Sequence, residues 1–223
     1  MIDFTQCGII PGRAYNGANG SKIAVSYNGT VYMLKFPPSA AGRPTELSYT
    51  NGCISEHLAS SVFNLIGITA QETMLGTYTV RDKLKLVCAC RDFTAGGLHF
   101  FDFCSIKNTV LDSDSNGTGT ELTDVMDAIN KQQYISPSVL REHFWDVFIV
   151  DALLGNFDRH NGNWGFLYDD ASESASIAPV FDCGSCLLPQ ADESTMRRIP
   201  SSPNYEFYEC LNMFGFPIAP ING

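Results

Sequence analysis

The chain has 223 residues, of which 44% are hydrophobic and 17% charged, a composition typical of a globular protein with a substantial core. Its 14 Lys and Arg against 24 Asp and Glu give a net charge of −10, which disfavours binding to nucleic acid or to an anionic membrane. No apolar run reaches about 18 residues and no basic-then-apolar pattern begins the chain, so we predict neither a transmembrane helix nor a signal peptide. We therefore expect a cytoplasmic protein whose eight cysteines are mostly reduced.

Strands dominate the predicted structure of the first third of the chain. Residues 22–27 and 31–36 flank Asn28-Gly29, the dipeptide typical of a tight β-hairpin turn. Apolar residues then recur at helical spacing over residues 53–66. Two more strands are predicted after this helix, near residues 72–80 and 84–90.

Helices dominate the second half. Apolar periodicity predicts them at 121–131 and 137–154, with Gly155 ending the longer one. Two short strands are expected after them, at 164–168 and 177–181. Beyond residue 188 the chain is rich in Pro and Ser and ends without a helix, so we expect the helical part to be incomplete.

Together these elements predict an α+β protein with two units. A β-rich unit with one helix occupies residues 1–90, and a mainly helical unit occupies residues 91–223. The join falls near residues 88–95, where the last strand of the first unit ends.

The strongest chemical signal lies between the long helix and the end of the second short strand. Asp158 and Asn163 have the spacing Asp-x-x-x-x-Asn, and Asp182 begins an Asp-x-Gly after an apolar strand. Phosphoryl transfer from ATP needs a carboxylate that orients or deprotonates the attacking hydroxyl, and an amide and a second carboxylate that hold Mg²⁺. The alternative interpretation is a polar turn that joins a helix to a strand, which is common by itself but rare with this flanking pattern.

These segments, Gly-Asn-x-Asp-Arg-His-x-x-Asn-Trp-Gly and Phe-Asp-x-Gly-Ser, resemble the HipA-like serine/threonine kinase family, and most of all its compact, stand-alone CtkA-like type. The likeness extends from Gly12 to about Tyr205. It implies a two-lobed protein-kinase-like fold with a β-rich N-lobe, a mainly helical C-lobe and ATP between them. By position, the resemblance makes Asp158 the catalytic carboxylate, and Asn163 and Asp182 the Mg²⁺ ligands.

The first half of the chain contains a candidate for the lysine–glutamate pair that a kinase site needs. Strand alternation places Lys35 on the same face as Val31 and Met33, where an ammonium group requires an anionic partner. Glu56 lies on the following helix, away from its apolar stripe, and we predict a Lys35–Glu56 pair that orients the phosphates of ATP. Glu46 is the competing partner, and a solvated Lys beside a solvated Glu is the competing interpretation.

A glycine-rich segment at residues 12–22 precedes the predicted hairpin. Glycine backbones approach phosphates closely, and their N–H groups can bind them, so we expect Asn19, Gly20, Ser21 and Lys22 to contact the nucleotide. The segment matches neither common phosphate-loop motif, and an ordinary glycine turn is the alternative.

The adenine base is expected to bind backbone groups where the two units join. The strand at 84–90 ends there, so we place these contacts at Ala89, Cys90 and Arg91. This assignment depends on position along the chain alone.

We therefore predict an ATP- and Mg²⁺-dependent serine/threonine protein kinase that transfers the γ-phosphate to a protein hydroxyl. Its expected partners are ATP and a protein substrate, with no nucleic acid and no membrane, and the oligomeric state is left open. Autophosphorylation is expected at loop residues such as Ser21, Ser201 or Ser202.

Four alternatives remain beside this prediction. The same loop is similar to that of phosphoinositide kinases, in which His160 would be a candidate base. A non-catalytic ATP-binding fragment is the second. A redox site at Cys183-x-x-Cys186 is disfavoured because that pair follows a strand and does not begin a helix, and a zinc site with His160 lacks a clear fourth ligand.

Overall fold

A computed structural model describes residues 1–13, 15, 21–37, 51–111, 116–191 and 193–198. Within these ranges the chain forms a six-stranded sheet, a three-stranded sheet and five helices, which confirms the predicted α+β class. In chain order the elements are β1 (Ile2–Asp3), β2 (Gly8–Ile9), β3 (Lys22–Tyr27), β4 (Thr30–Lys35), α1 (Gly52–Leu65), β5 (Thr73–Val80), β6 (Lys83–Arg91), β7 (Leu98–Asp102), α2 (Phe103–Leu111), α3 (Leu122–Lys131), α4 (Pro137–Leu154), β8 (Gly165–Asp169), β9 (Ser174–Ile177) and α5 (Glu193–Arg198).

The predicted hairpin is confirmed as β3 and β4. Asn28 and Gly29 have φ angles of 50° and 77°, the left-handed conformations that allow a two-residue turn to match the twist of its strands. The six-stranded sheet has the order β1-β5-β6-β4-β3-β2, and its pairs are antiparallel except for β1 with β5. This register places Lys22, Lys35 and Cys88 side by side, so their side chains share one face of the sheet.

The two faces of the six-stranded sheet bury different clusters. One face buries a mostly aromatic and aliphatic cluster that includes Phe4, Leu34 and Val87. The other face carries Met33 and Cys88, which pack with Cys53 of α1. Because Lys35 lies on this second face, its ammonium group points toward α1 and away from the larger cluster.

Two further clusters connect the sheets to the helices. Phe63 of α1 shares one cluster with Val150 of α4 and with Cys183, so α1 is packed against the helical part of the chain. The other cluster, around Phe103 and Leu140, joins α2, α3 and α4 to the three-stranded sheet. Both predicted helices in this half are confirmed, and α4 ends at Gly155, whose φ of 64° is the left-handed C-cap conformation.

The prediction of a second short strand at residues 177–181 was wrong. A strand is present at Ser174–Ile177, four residues before the predicted end at residue 181. Beyond Ile177 the chain leaves β8 and forms a single bridge between Val180 and Ala70. The apolar residues that suggested a strand are thus buried by a different segment, the one that follows α1. Five elements, β1, β2, β7, α2 and α5, were not predicted from the sequence.

The boundary at residue 90 between two units stays a prediction. None of the described helices is long and apolar enough to cross a membrane. The seven cysteines in the described ranges are all free thiols.

We predict that Gly165→Ala destabilises the fold. Gly165 begins β8 opposite Asp102, and a Cβ there would overlap the carbonyl oxygen of Phe101 in the paired strand. The strands must move apart to relieve this overlap, so we expect a loss of about 1–3 kcal/mol in the free energy of unfolding, measured by urea denaturation. Gly8→Ala in β2 is the matched control, because a Cβ at Gly8 has no atom within 4 Å. Equal stability of the two variants would contradict the packing of β7 against β8.

Candidate active site

A cavity of about 740 Å³ lies beside the face of the six-stranded sheet that carries Lys35. This volume is in the range of small-molecule sites in proteins. Its walls come from β3, β4, α1 and the two segments around residues 158–163 and 181–185. Six of the predicted site residues line it: Lys22, Lys35, Glu56, Asp158, Asn163 and Asp182.

Lys35 is held between two carboxylates from distant parts of the chain. Its Nζ donates hydrogen bonds to Glu56 Oε2 at 2.9 Å and to Asp182 Oδ1 at 2.8 Å. The side chain of Glu56 is 1% exposed and that of Lys35 is 13% exposed, whereas that of Asp182 is 41% exposed. The Lys35–Glu56 contact is the one that the sequence suggests, and the contact with Asp182 is new.

The charges of this triad are mutually stabilised. Burial alone would lower the pKa of Lys35, but the carboxylates of Glu56 and Asp182 raise that pKa well above its ordinary value. The ammonium of Lys35 in turn lowers the pKa of Asp182 to about 2, against the opposing effect of burial. Lys35 and Asp182 therefore stay ionised across the physiological pH range, which suits a site that binds phosphates.

The backbone around Asp182 brings its carboxylate toward Lys35. Asp182 has a φ of 57°, in the left-handed region that non-glycine residues rarely occupy. Two residues later, a Cβ on Gly184 would lie 3.2 Å from Glu56 Oε2, so a glycine lets this segment approach the carboxylate closely. Glu56 Oε1 is buried without a hydrogen-bond partner among the described residues.

The loop after α4 holds Asp158 and Asn163 by hydrogen bonds among its own atoms. Asn163 Nδ2 donates to the carbonyl oxygen of Asp158 at 3.1 Å, and Asn163 N donates to the carbonyl oxygen of His160 at 2.9 Å. His160 Nδ1 accepts from the backbone N–H of Gly162 at 3.1 Å. The loop is therefore a compact turn in which the side chains of Asp158 and Asn163 reach the cavity.

A second buried cation, which the sequence analysis missed, ties this loop to α4 and to the Asp182 segment. Arg159 donates to Asp151 Oδ2 at 2.7 Å, to the carbonyl oxygen of Asn163 at 2.9 Å and to that of Phe181 at 2.6 Å. Asp151 also accepts from Asn156 Nδ2 at 2.7 Å. The available signal was Asp151 itself, the one carboxylate within the apolar stretch at residues 147–154 of α4.

The pKa of Arg159 reflects this environment. Burial alone would lower the pKa of Arg159, whereas the neighbouring Cys183 and Asp151 raise it. The guanidinium therefore remains charged and can act as a fixed connector between the segments that carry Asp158 and Asp182.

Several predicted contacts lie away from the cavity or outside the described residues. Asn19, Gly20, Glu46, Ser201 and Ser202 fall outside the described ranges. Ser21 is exposed, and its carbonyl oxygen accepts from Phe36 N at 3.0 Å.

The predicted base-binding residues form part of β6. Ala89, Cys90 and Arg91 are paired with β4, and their neighbours Asp92, Phe93 and Thr94 line the cavity instead. The N–H of Arg91 donates to the carbonyl oxygen of Glu72, and its own carbonyl oxygen accepts from the side chain of Gln71. The role predicted for these three residues stays a prediction.

Oxygen atoms that suit Mg²⁺ are present at the cavity. The described ranges contain no group of three or more His, Cys, Asp and Glu side chains that could hold a metal ion, so neither a zinc site nor an all-protein metal cage is formed there. The Asp182 carboxylate and the Asn163 amide both line the cavity, and the hydrogen bond from Asn163 Nδ2 fixes the orientation of that amide. Mg²⁺ is usually bound by one or two such oxygen ligands together with waters and substrate phosphates, so this pair fits it.

Comparison with known proteins identifies relatives over most of the chain. The family described as "HipA-like C-terminal domain" matches residues 15–210. The serine/threonine-protein kinase CtkA of Helicobacter pylori strain J99 is 51% identical over 201 residues, which are 90% of this chain and 60% of that protein. The chain thus spans about 60% of the length of this curated relative.

A solved structure has the same fold. The crystal structure of a Helicobacter pylori proinflammatory kinase CtkA superposes with a TM-score of 0.84 at 49% identity, and the match covers 93% of this chain and 68% of that one. This match confirms the kinase-like α+β fold that the sequence suggests.

We predict that Asp151→Ala destabilises the protein by about 3–5 kcal/mol. The substitution leaves the guanidinium of Arg159 buried without its carboxylate partner, which costs more than the loss of an exposed ion pair. Urea unfolding measures the change in the free energy of unfolding. Asp170→Ala is the matched control, because Asp170 is exposed and pairs with an exposed His99. A loss for Asp151→Ala no larger than that for the control would contradict the structural role of Arg159.

We also predict a pH dependence that originates at Asp182. Its pKa of about 2 in the folded protein lies below the ordinary value of 3.8, so its ion pair with Lys35 stabilises the fold above pH 4. That contribution is lost as the pH falls from 4 toward 2. Urea unfolding at a series of pH values should therefore show a steeper loss of stability in this window for the wild type than for Asp182→Asn. Parallel curves down to pH 2 would show that the ion pair does not stabilise the fold.

Proposed function

Because this chain belongs to the family of HipA-like C-terminal domains, we propose that it is an ATP- and Mg²⁺-dependent serine/threonine protein kinase. The observation that carries the proposal is the ion-paired triad, in which one buried Lys contacts a helix Glu and the Asp of an Asp-x-Gly segment. Kinases use a lysine and two carboxylates of this kind to position the phosphates of ATP. The name of the relative at 51% identity, a serine/threonine-protein kinase, supports the same activity.

We assign each cavity residue one task. Lys35, oriented by Glu56, binds the α- and β-phosphates, and Lys22 adds positive charge to the same face of the sheet. Asn163 and Asp182 hold Mg²⁺, which when bound neutralises charge on the phosphate oxygens. Asp158 orients the hydroxyl of the acceptor and accepts its proton as that oxygen attacks the γ-phosphorus, and the diphosphate leaves on the opposite side.

We attribute catalysis mainly to charged groups that the fold holds in fixed positions. Arg159 joins the loop of Asp158 to the carbonyl oxygen of Phe181, next to Asp182, so the proposed base and the proposed metal ligand are held by the same cation. Charged groups that are held in place before the reaction stabilise the charge of the transition state without reorganisation. The backbone of residues 17–21, with Asn19, Gly20 and Ser21, is proposed to cover the phosphates, and Ser21 is a proposed site of autophosphorylation.

The base is proposed to bind at the end of β6. The sequence assigned this role to Ala89, Cys90 and Arg91, and the lining of the cavity favours the next residues, Asp92 and Phe93. The first set ends β6, and the second set begins the segment that joins the six-stranded sheet to β7. The proposed acceptor is a serine or threonine hydroxyl of a protein substrate.

A lipid kinase is the second candidate, because His160 lines the cavity close to Asp158. Its Nδ1 accepts a hydrogen bond from Gly162 N, so a neutral His160 carries its proton on Nε2. In that orientation Nε2 would be a donor, which makes His160 a weaker base candidate than the carboxylate of Asp158.

We predict that Asp158→Asn lowers phosphate transfer by roughly 10²- to 10⁴-fold and leaves the affinity for ATP nearly unchanged. The amide keeps the size of the side chain but cannot accept the proton of the acceptor hydroxyl. Transfer of radiolabelled γ-phosphate is measured with a generic basic protein and with phosphoinositide vesicles, and the affinity for ATP by calorimetry.

Asp170→Asn, on the exposed turn after β8, serves as the control and should retain full activity. An equal loss of ATP affinity and of transfer would count against the assigned role of Asp158. Transfer to the lipid alone would favour the second candidate. ATP binding without transfer to either acceptor in the wild type would indicate a non-catalytic nucleotide-binding fragment.

A further inference from the structure

A hydrogen-bonded group beside the cavity, three of whose members line it, joins residues 13 and 15 to the end of β6. Its acceptor is Asp92, the residue that follows β6, and its donors include Arg13 and Tyr15, which are 79 and 77 residues away in sequence. Neither Arg13 nor Tyr15 belongs to a helix or strand, and these hydrogen bonds attach both residues to the end of β6.

Both oxygen atoms of Asp92 are saturated with donors. Oδ2 accepts from Arg13 Nε at 2.5 Å and from Tyr15 Oη at 2.6 Å. Oδ1 accepts from the backbone N and the Oγ1 of Thr94, at 2.9 and 2.6 Å. Arg13 Nη2 also donates to Thr94 Oγ1 at 2.9 Å, which closes the network.

The network is charged and largely out of solvent. The side chain of Asp92 is 3% exposed, and that of Arg13 is 33% exposed. Burial alone would raise the pKa of Asp92, but the hydrogen bonds from Arg13, Thr94 and Tyr15 lower it below its ordinary value. Burial, followed by the neighbouring Asp92, raises the pKa of Tyr15, so the phenol remains a donor. A buried carboxylate with this many donors fixes the position of each of them.

Tyr15 lines the same cavity as Lys35. Its ring packs against the cluster of Met33, Cys88 and Cys90 on the cavity face of the six-stranded sheet. The cavity has a second apolar wall formed by Phe93, Phe100 and Phe181, whose ring centroids are 5.3–5.8 Å apart.

The two walls come from different parts of the fold. Tyr15 lies on the six-stranded sheet, whereas Phe100 belongs to β7 of the three-stranded sheet. Flat aromatic groups bind well between apolar walls of this kind.

We propose that Tyr15 is a base-contacting residue of the nucleotide site and that Asp92 is the positioning residue that fixes it there. This inference rests on the proposed function, because it assigns the base of the nucleotide to the end of the cavity that Tyr15 and Phe93 line. Arg13 contributes by holding Oδ2 of Asp92 toward the phenol. The mechanism for phosphate transfer uses none of these three residues, so they determine binding of the base and leave the phosphate contacts to Lys35.

The test compares two ligands, adenosine and Mg²⁺-ADP, by calorimetry. Tyr15→Ala should weaken the binding of both by the same factor, roughly 10-fold, because stacking on the base is common to them. Tyr15→Phe keeps the ring, and Asp92→Asn keeps the shape of the acceptor side chain. Each variant weakens or removes the hydrogen bond from Tyr15 Oη to Asp92 Oδ2 that fixes the ring, so each should weaken the binding of both ligands about 3-fold. Lys35→Ala should weaken only ADP. Tyr78→Phe, on the opposite face of the sheet, is the matched control and should change neither affinity.

The outcomes separate this inference from the proposed function. If the wild type binds ADP and adenosine, and Tyr15→Ala binds adenosine as well as the wild type does, the inference is wrong while the proposed function stands. If Asp92→Asn lowers the melting temperature but leaves both affinities intact, Asp92 is only structural and its positioning role is refuted. If the wild type binds neither ligand, the proposed function fails and the inference fails with it. If Tyr15→Ala, Tyr15→Phe and Asp92→Asn each lose affinity for adenosine and for ADP by the same factor, the inference about Tyr15 and Asp92 is supported.

Discussion

The structure of the site depends on the cost of burying the ammonium group of Lys35. A buried cation without a partner would lose its charge, so the fold must bring carboxylates to it. Glu56 comes from α1 and Asp182 from a segment 147 residues further along the chain than Lys35, and both lie within 3 Å of the same nitrogen atom. This single requirement connects the six-stranded sheet, α1 and the segment after β9.

A second buried cation repeats the principle in the helical part of the protein. Arg159 is paired with Asp151 of α4 and donates to carbonyl oxygens of the Asp158 loop and of Phe181. Lys35 therefore fixes one side of Asp182 and Arg159 fixes the backbone just before it. Two buried cations therefore connect the short segments that form the cavity, one through side chains and the other through backbone carbonyl oxygens.

The β3–β4 hairpin and the end of α4 followed from the sequence because their signals are local. Asn28-Gly29 indicates a hairpin by its backbone preferences, and Gly155 ends α4 by its left-handed conformation. The prediction of a strand at residues 177–181 was wrong for the opposite reason. Val180 there forms a single bridge to Ala70 and is buried among residues of α1 and α4, and a run of apolar residues does not show which segment will cover it.

The sequence by itself singled out five residues that line the cavity: a lysine on a strand, a glutamate on the next helix, and Asp158, Asn163 and Asp182 at a characteristic spacing. Only the tertiary structure decided that Asp182 binds Lys35 directly, that Arg159 joins two loops, and that Asp92 receives Arg13 and Tyr15. The physical reason is that spacing and periodicity report the geometry of one segment. An ion pair between distant segments depends on how buried faces pack together, and no local pattern records that packing.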